Sequence, residues 1–183
     1  MKLIIGLVGP LCAGKGTTAK YLQEKYGADV HRFSTMLRDI LNRLFLPITR
    51  ETMVNLSELV RGQFGDDLMS KVISREVSAD PAEIAVVDGI RRPLDQSKLL
   101  ELPNFHLVAI DADSQTRYER MVKRGENEDD RGKTFEQFTN DHQKPTEVLI
   151  ADLAKSAEAT LDNNGTIENL YRQIDELLKR WQI

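Results

Sequence analysis

The sequence predicts an α/β fold of three layers, a parallel five-stranded sheet with helices packed on both faces. Short apolar or β-branched runs alternate with helical patterns along the whole chain, the rhythm of βαβ units. The run Ile84–Val87 is wholly apolar, as a strand covered on both faces must be. The last helical stretch carries one apolar stripe, Ile167, Leu170, Ile174, Leu177, Leu178 and Trp181.

Taken in order, Leu3–Val8 is the first strand, and it ends in a Gly-rich turn before a helix over Lys15–Tyr26. Val30–Phe33, with its polar His31 and Arg32, is the second strand. The remaining strands fall at Ile84–Val87, Phe105–Ile110 and Ala157–Leu161, each bounded by turn-forming residues. The spacing predicts helices over Met36–Phe45, Arg50–Phe64, Asp66–Ser78, Ser114–Lys123, Phe135–Gln143 and Ile167–Trp181. Thr134 and Gln137 form a capping-box signature ahead of Phe135. About fifty residues separate the second and third strands, enough for three helices where one would connect them. The stretch "RGENEDDRGKT", 124–134, is polar and Gly-flanked. An insertion at about 34–80 and a loop at about 125–134 would be two flaps over one cleft.

Composition narrows the class. At 183 residues, 40% hydrophobic and 30% charged, the chain suits one domain with one core. A net charge of −4 gives no general attraction to nucleic acid or to an anionic membrane. One cysteine, Cys12, rules out a disulfide framework. The absence of a signal sequence and of any long apolar run makes a cytoplasmic location the expectation.

The chemistry starts at "GLVGPLCAGKGTT", residues 6–18. A strand, then Gly9-x-x-x-x-Gly14-Lys15, then a helix, is the layout that points backbone N–H groups and a helix N-terminus at a polyphosphate. At ordinary Gly and Lys frequencies the pattern arises by chance about 0.05 times in this length. Gly9, Pro10, Leu11, Cys12, Ala13, Gly14, Lys15, Gly16, Thr17 and Thr18 are therefore the candidate ATP-binding residues. The position after the lysine is Gly16 instead of the usual metal-binding Ser or Thr, and Thr17 stands one residue late.

"GKGT" resembles the loop of adenylate kinase and the other nucleoside monophosphate kinases, and archaeal adenylate kinase-related proteins share the "DGIR" of this chain. The resemblance implies a P-loop kinase fold, an ATP–Mg²⁺ substrate complex, and a small nucleotide or nucleotide-like acceptor. Mg²⁺ would lie mostly among phosphates and waters, with Thr17 and Asp88 as its protein neighbours, Asp88 through water. "FSTMLR" looks like the acceptor-binding stretch, implying Ser34, Thr35 and Arg38. "VVDGIRRP" is similar to the strand-end Asp-Gly followed by Arg, implying Asp88 and the clamp Arg92. "ERMVKR" resembles the start of the lid, implying Arg120 beside the ATP base and Arg124 on the transferring phosphoryl group, with Arg131 a further lid arginine. "DNNGT" is similar to a late loop near the ATP base, also seen in dephospho-CoA kinases, and implies Asn164 and Gly165. By this likeness the catalytic set is Lys15, Asp88, Arg92 and Arg124.

The chain departs from that pattern where Cys12 replaces Gly and Arg91 replaces Pro. Arg91 adds charge on the acceptor side. The lid lacks a Cys or His set, so no zinc is expected there. His31, His106 and His142 form no constellation. Asp66-Asp67 is expected to cap a helix and Asp129-Asp130 to be a solvated loop.

Three readings stand at this level. The first is transfer of the γ-phosphoryl group of ATP to a nucleoside monophosphate. The second is dephospho-CoA kinase-like transfer to a sugar hydroxyl. The third is a P-loop ATPase or nucleotide-binding switch. A hydroxyl benefits from a carboxylate base, and none stands between Val30 and Arg38, with Asp39 one turn late. That favours a phosphate acceptor. No Gln or Glu is evident to position a water for the third.

Overall fold

The computed structural model describes residues 2–125, 131–141 and 145–181. In chain order the elements are β1 (Leu3–Val8), α1 (Lys15–Tyr26), β2 (Asp29–Arg32), α2 (Phe33–Arg43), α3 (Arg50–Phe64), α4 (Leu68–Ala79), β3 (Ile84–Asp88), a 3₁₀ turn (Pro93–Asp95), β4 (Phe105–Asp111), α5 (Ser114–Arg124), α6 (Phe135–Asp141), α7 (Pro145–Lys155), β5 (Ala159–Asp162) and α8 (Ile167–Arg180). The sheet is parallel, in the order β2-β3-β1-β4-β5. This is the predicted three-layer P-loop kinase architecture.

The sequence of β1 explains the layers. Alternate residues face opposite sides. Leu3, Ile5 and Leu7 pack with Leu22 of α1 and with Leu170, Ile174, Leu177 and Leu178 of α8. Ile4 and Val8 pack with Phe33 and Leu37 of α2, Met69 and Ile73 of α4, and Ile150 and Leu153 of α7. The polar second strand is an edge strand, which resolves why His31 and Arg32 fit there. His31 pairs with Asp80 at 2.6 Å, and His106 with Glu158 at 2.6 Å.

Several boundaries differ from expectation. β2 ends at Arg32 and α2 opens at Phe33, three residues early, so Ser34 and Thr35 belong to a first helical turn. α4 starts at Leu68. Asp67 makes no side-chain cap there and binds Lys71 at 2.8 Å instead. Ile167 is exposed, because it stands at the open start of α8. α7 has no counterpart among the helices the spacing predicts; its first turn contains Pro145, permitted where a helix needs no N–H donor. The Thr134–Gln137 capping box is present, with bonds of 2.9 and 3.2 Å. His142 and the pair Asp129-Asp130 lie outside the described residues, as do residues 126–130 of the predicted lid.

Chain direction positions the site. From β1 the chain crosses toward β2, and from β3 it crosses the other way to β4. Ligands of open α/β sheets sit at such a reversal, beyond the carboxyl ends. The Leu7↔Asp88 register places the turn after β1 beside the end of β3. Two glycines let that turn close down. A Cβ on Gly9, at φ +150°, would stand 2.2 Å from the carbonyl oxygen of Ile110, and one on Gly14, at φ +118°, 2.2 Å from Nδ2 of Asn163.

The opposite face is braced at Asp175, whose Oδ1 accepts from Tyr21 Oη (2.8 Å) and Tyr26 Oη (2.7 Å), while Oδ2 accepts from Lys25 Nζ (2.8 Å). Burial alone would raise the pKa of Asp175; the bonds from Lys25, Tyr26 and Tyr21 outweigh it and hold the carboxyl below its ordinary value.

Gly9→Ala should destabilise the fold by about 3 kcal/mol through the backbone clash, whereas Gly16→Ala should stabilise α1 by up to about 1 kcal/mol, since nothing lies within 4 Å of a Cβ there. Chemical denaturation of both variants checks the pair. Asp175→Asn should lower the unfolding midpoint at pH 7 by about 3 °C. A depressed folded-state pKa contributes stability that is present above the unfolded value and lost as pH falls through the folded one. The gap between Asp175→Asn and the parent should therefore close in acid, as melts across a pH series would show.

Candidate functional site

The phosphate loop is held from below by Asn163, a residue outside the set expected from the sequence. Asn163, 6% exposed, donates from Nδ2 to the carbonyl of Ala13 at 2.7 Å, and its own N–H bonds Asp111 O at 2.8 Å. Its neighbour Asn164 turns away from the loop: Oδ1 accepts from Asp113 N at 2.7 Å and Nδ2 donates to Asp162 Oδ1. The "DNNGT" stretch thus contributes one buried support and one exposed tip, with Gly165 exposed beside it. Arg120 joins the same loop, donating from Nη2 to Asn163 O at 2.8 Å, while its Nη1 is buried with no partner.

Lys15 lies across the loop and donates to Gly9 O (2.6 Å) and Pro10 O (3.0 Å). Burial holds its ammonium below the ordinary lysine value. Asp88 acts against that shift, Arg91 adds to it, and Glu147 and Cys12 oppose it. So the loop lysine, the end of β3, and a glutamate from α7 share one electrostatic neighbourhood. Ala13 is buried, Leu11 and Gly16 are exposed, and Thr17 is half-buried. Thr18 is buried, with its hydroxyl unpartnered. Cys12 adopts φ 60°, the left-handed region. The replacement of Gly therefore costs about 1 kcal/mol of backbone strain.

At the end of β3, Asp88 lies 3.6 Å from Arg32. Ser34 is half-buried, Thr35 exposed, and Arg38 and Asp39 exposed one turn along α2. Arg91 is exposed and Arg92 half-buried, in the loop fixed by Asp95. Arg92, Pro93 and Leu94 line a cleft of about 370 Å³ with Arg61, Asp66 and Leu149. Insertion, strand-end loop and α7 therefore meet around one opening.

Arg124 is exposed at the end of α5, and the Arg131 side chain folds over Gly125, 2.6 Å from where a Cβ would stand. The deeply buried arginine of α5 is Arg117, which was not singled out from sequence. Its Nε donates to Ala112 O at 2.8 Å, and its guanidinium lies 5.6 Å over the Phe138 ring. A buried Arg at Ser114+3 is not separable by spacing from its surface neighbours Arg120 and Arg124.

Glu147 is the other omission. It sits in the first turn of α7, with Oε2 buried and no hydrogen-bond partner. Only prediction of α7 would have exposed it.

For Mg²⁺, the residues expected to hold it, Thr17 and Asp88, offer oxygens, and among the described residues no group of three His, Cys, Asp or Glu could hold a metal alone. That donor set fits a hard cation carried mainly by phosphates and water. Among the described residues no helix is long and apolar enough to cross a membrane.

Comparison with known proteins bears on the family and the fold. The protein-family model described as "AAA domain" matches residues 5–141. The UPF0200 protein of Sulfurisphaera tokodaii is 28% identical over 178 residues, covering 97% of this chain and 96% of its own length. That of Pyrococcus abyssi is 27% identical, at 97% and 96% coverage. Among solved structures, shikimate kinase from Bacteroides thetaiotaomicron superposes with a TM-score of 0.68 at 13% identity over 99% of both chains. Protein TT1252 from Thermus thermophilus gives 0.61 at 20% identity, over 98% of this chain and 97% of its own. The two structures bear on the fold alone. The chain belongs to the AAA domain family.

Proposed function

We propose that this protein is an ATP-dependent small-molecule kinase that transfers the γ-phosphoryl group of ATP to a nucleoside monophosphate. One observation carries the reading: the site has two ends. Loop 9–17 with Lys15 forms one, and the cleft lined by Arg92, Arg61 and Leu94 forms the other, next to it on the carboxyl edge of the sheet. An ATPase needs only the first.

In this reading the backbone N–H groups of Gly14 to Thr17 cradle the polyphosphate, and Lys15 exchanges two carbonyl acceptors for anionic phosphate oxygens. Arg120, Asn164 and Gly165 border the ATP base. Arg38, Arg91 and Arg92 receive the acceptor phosphate, with Ser34 and Thr35 offering hydroxyls. Arg124 comes onto the transferring group from the lid side. Thr17, and Asp88 through water, would hold Mg²⁺, which when bound supplies charge to the phosphate oxygens. Phosphoryl transfer spreads negative charge over oxygens, so fixed cations and alignment supply most of the rate. Arginine suits the task, keeping its proton and binding phosphate through two parallel donors. A phosphate acceptor is already anionic and needs no base. The single-domain organisation, with an insertion at about 34–80 and a lid at about 125–134, belongs to the same proposal.

A second reading, transfer to a sugar hydroxyl, is favoured by Glu147 alone. Its unpartnered carboxylate oxygen near Lys15 is a group that could accept a hydroxyl proton. That carboxylate answers the absence noted between Val30 and Arg38.

The test is ADP release from ATP–Mg²⁺ against each nucleoside monophosphate, dephospho-CoA, shikimate, and no acceptor. Stimulation by one monophosphate, with the diphosphate as product, is expected. Lys15→Ala should lower that turnover by about 10²-fold or more without unfolding the chain, and Glu147→Gln should leave it within about threefold. Stimulation by a hydroxyl acceptor, lost in Glu147→Gln, would replace the first reading with the second. ADP release indifferent to every acceptor would leave an ATPase or switch.

A further inference from the structure

Asp95 forms part of neither the phosphate loop nor any motif read from the sequence, yet it is among the most heavily used carboxylates in the fold. Its Oδ2 accepts the backbone N–H groups of both Arg91 (3.0 Å) and Arg92 (2.9 Å). Its Oδ1 accepts from Nη2 of Arg61 at 2.7 Å, with side-chain exposures of 6% for Arg61 and 4% for Asp95. Arg61 lies on α3, and its Nη1 donates to Asp66 O at 2.6 Å, in the turn that leads to α4. One buried ion pair therefore joins the strand-end loop to the helical insertion.

Burying two opposite charges is costly unless their donors and acceptors are used. An apolar contact would hold two elements together as well, so the pair is weak evidence for stability as such. What it does instead is set orientation. Two N–H bonds to one carboxylate oxygen fix the backbone on which Arg91 and Arg92 are carried, and the Arg61 fork fixes that carboxylate against the insertion. The same residues wall the cleft: Arg61 and Asp66 on one side, Arg92 and Leu94 on the other. Charge is partitioned too. Arg61 is neutralised by Asp95, whereas Arg92 is tied through its main chain and keeps its guanidinium for a ligand.

We propose that Asp95 and Arg61 are positioning residues for the acceptor, setting the distance and angle at which Arg92 meets an anionic group of phosphate size in the cleft. The purpose rests on the kinase reading above. The geometry and its consequence for anion binding do not.

The test uses ¹⁵N-labelled full-length protein saturated with ADP–Mg²⁺ and titrated with inorganic phosphate, followed at the backbone amides of Arg91 and Arg92. In the parent these amides should move along a saturable curve that Arg92→Ala abolishes. Asp95→Asn should weaken phosphate binding by about tenfold or more, the scale of a lost charge-assisted contact. Its affinity for ADP–Mg²⁺ should stay within about twofold, and the Arg91 and Arg92 amides should lose protection from hydrogen exchange. Arg61→Lys, which keeps the charge without the fork, should give an intermediate loss and carries the test if Asp95→Asn does not fold. A folded variant that binds phosphate at Arg92 like the parent would overturn the proposal. So would parent amides that ignore phosphate while ATP-dependent transfer persists. Absence of transfer to any acceptor, with phosphate binding behaving as expected, would instead overturn the kinase reading and leave the positioning role standing.

Discussion

The site depends on two glycines with no room for a side chain. The Ile110 carbonyl and the Asn163 amide occupy the space a Cβ would take at Gly9 and Gly14. Those contacts press the turn after β1 against the ends of β4 and β5, and Asn163 secures it through the Ala13 carbonyl. The loop is thus part of the sheet's carboxyl edge, with its amides fixed before any ligand arrives. Preorganised donors of this kind need no rearrangement as charge develops.

Around that edge the chain separates cations by how they are held. Lys15 is half-buried, and desolvation holds its pKa down in a neighbourhood it shares with Asp88 and Glu147. Arg117 and Arg61 are buried and committed to protein partners. Arg38, Arg91 and Arg124 are exposed, on the insertion, the strand-end loop and the lid side. Of the buried pair, Arg61 lines the cleft beside Arg92; in the kinase reading proposed above, the exposed arginines are the ones that would meet the ligands.

Much of this was legible because it rests on local rules. The Gly9–Lys15 spacing, the apolar run before Asp88 and the α8 stripe each carry their structure in adjacent residues. What escaped depends on contacts distant in sequence. Asn163 differs from Asn164 only in which one reaches a carbonyl 150 residues away. Asp95 reads as an ordinary turn residue until Arg61, 34 residues earlier, is brought beside it. α7 begins at a proline after a polar stretch and buries only part of its surface, so its period is shallow, and Glu147 was hidden with it. The strand carrying His31 and Arg32 looked unlike a core strand because it is an edge.

The central claim is that ATP lies on loop 9–17 and that its γ-phosphoryl group faces a second anion held in the Arg92 cleft. The most direct measurement is a crystal structure with diadenosine pentaphosphate, a single molecule that carries both nucleotide ends. The account predicts phosphates running from the amides of Gly14 to Thr17, past Lys15, to the guanidinium of Arg92. A phosphate chain that leaves the loop in another direction, with the Arg92 cleft holding no part of the compound, would contradict it.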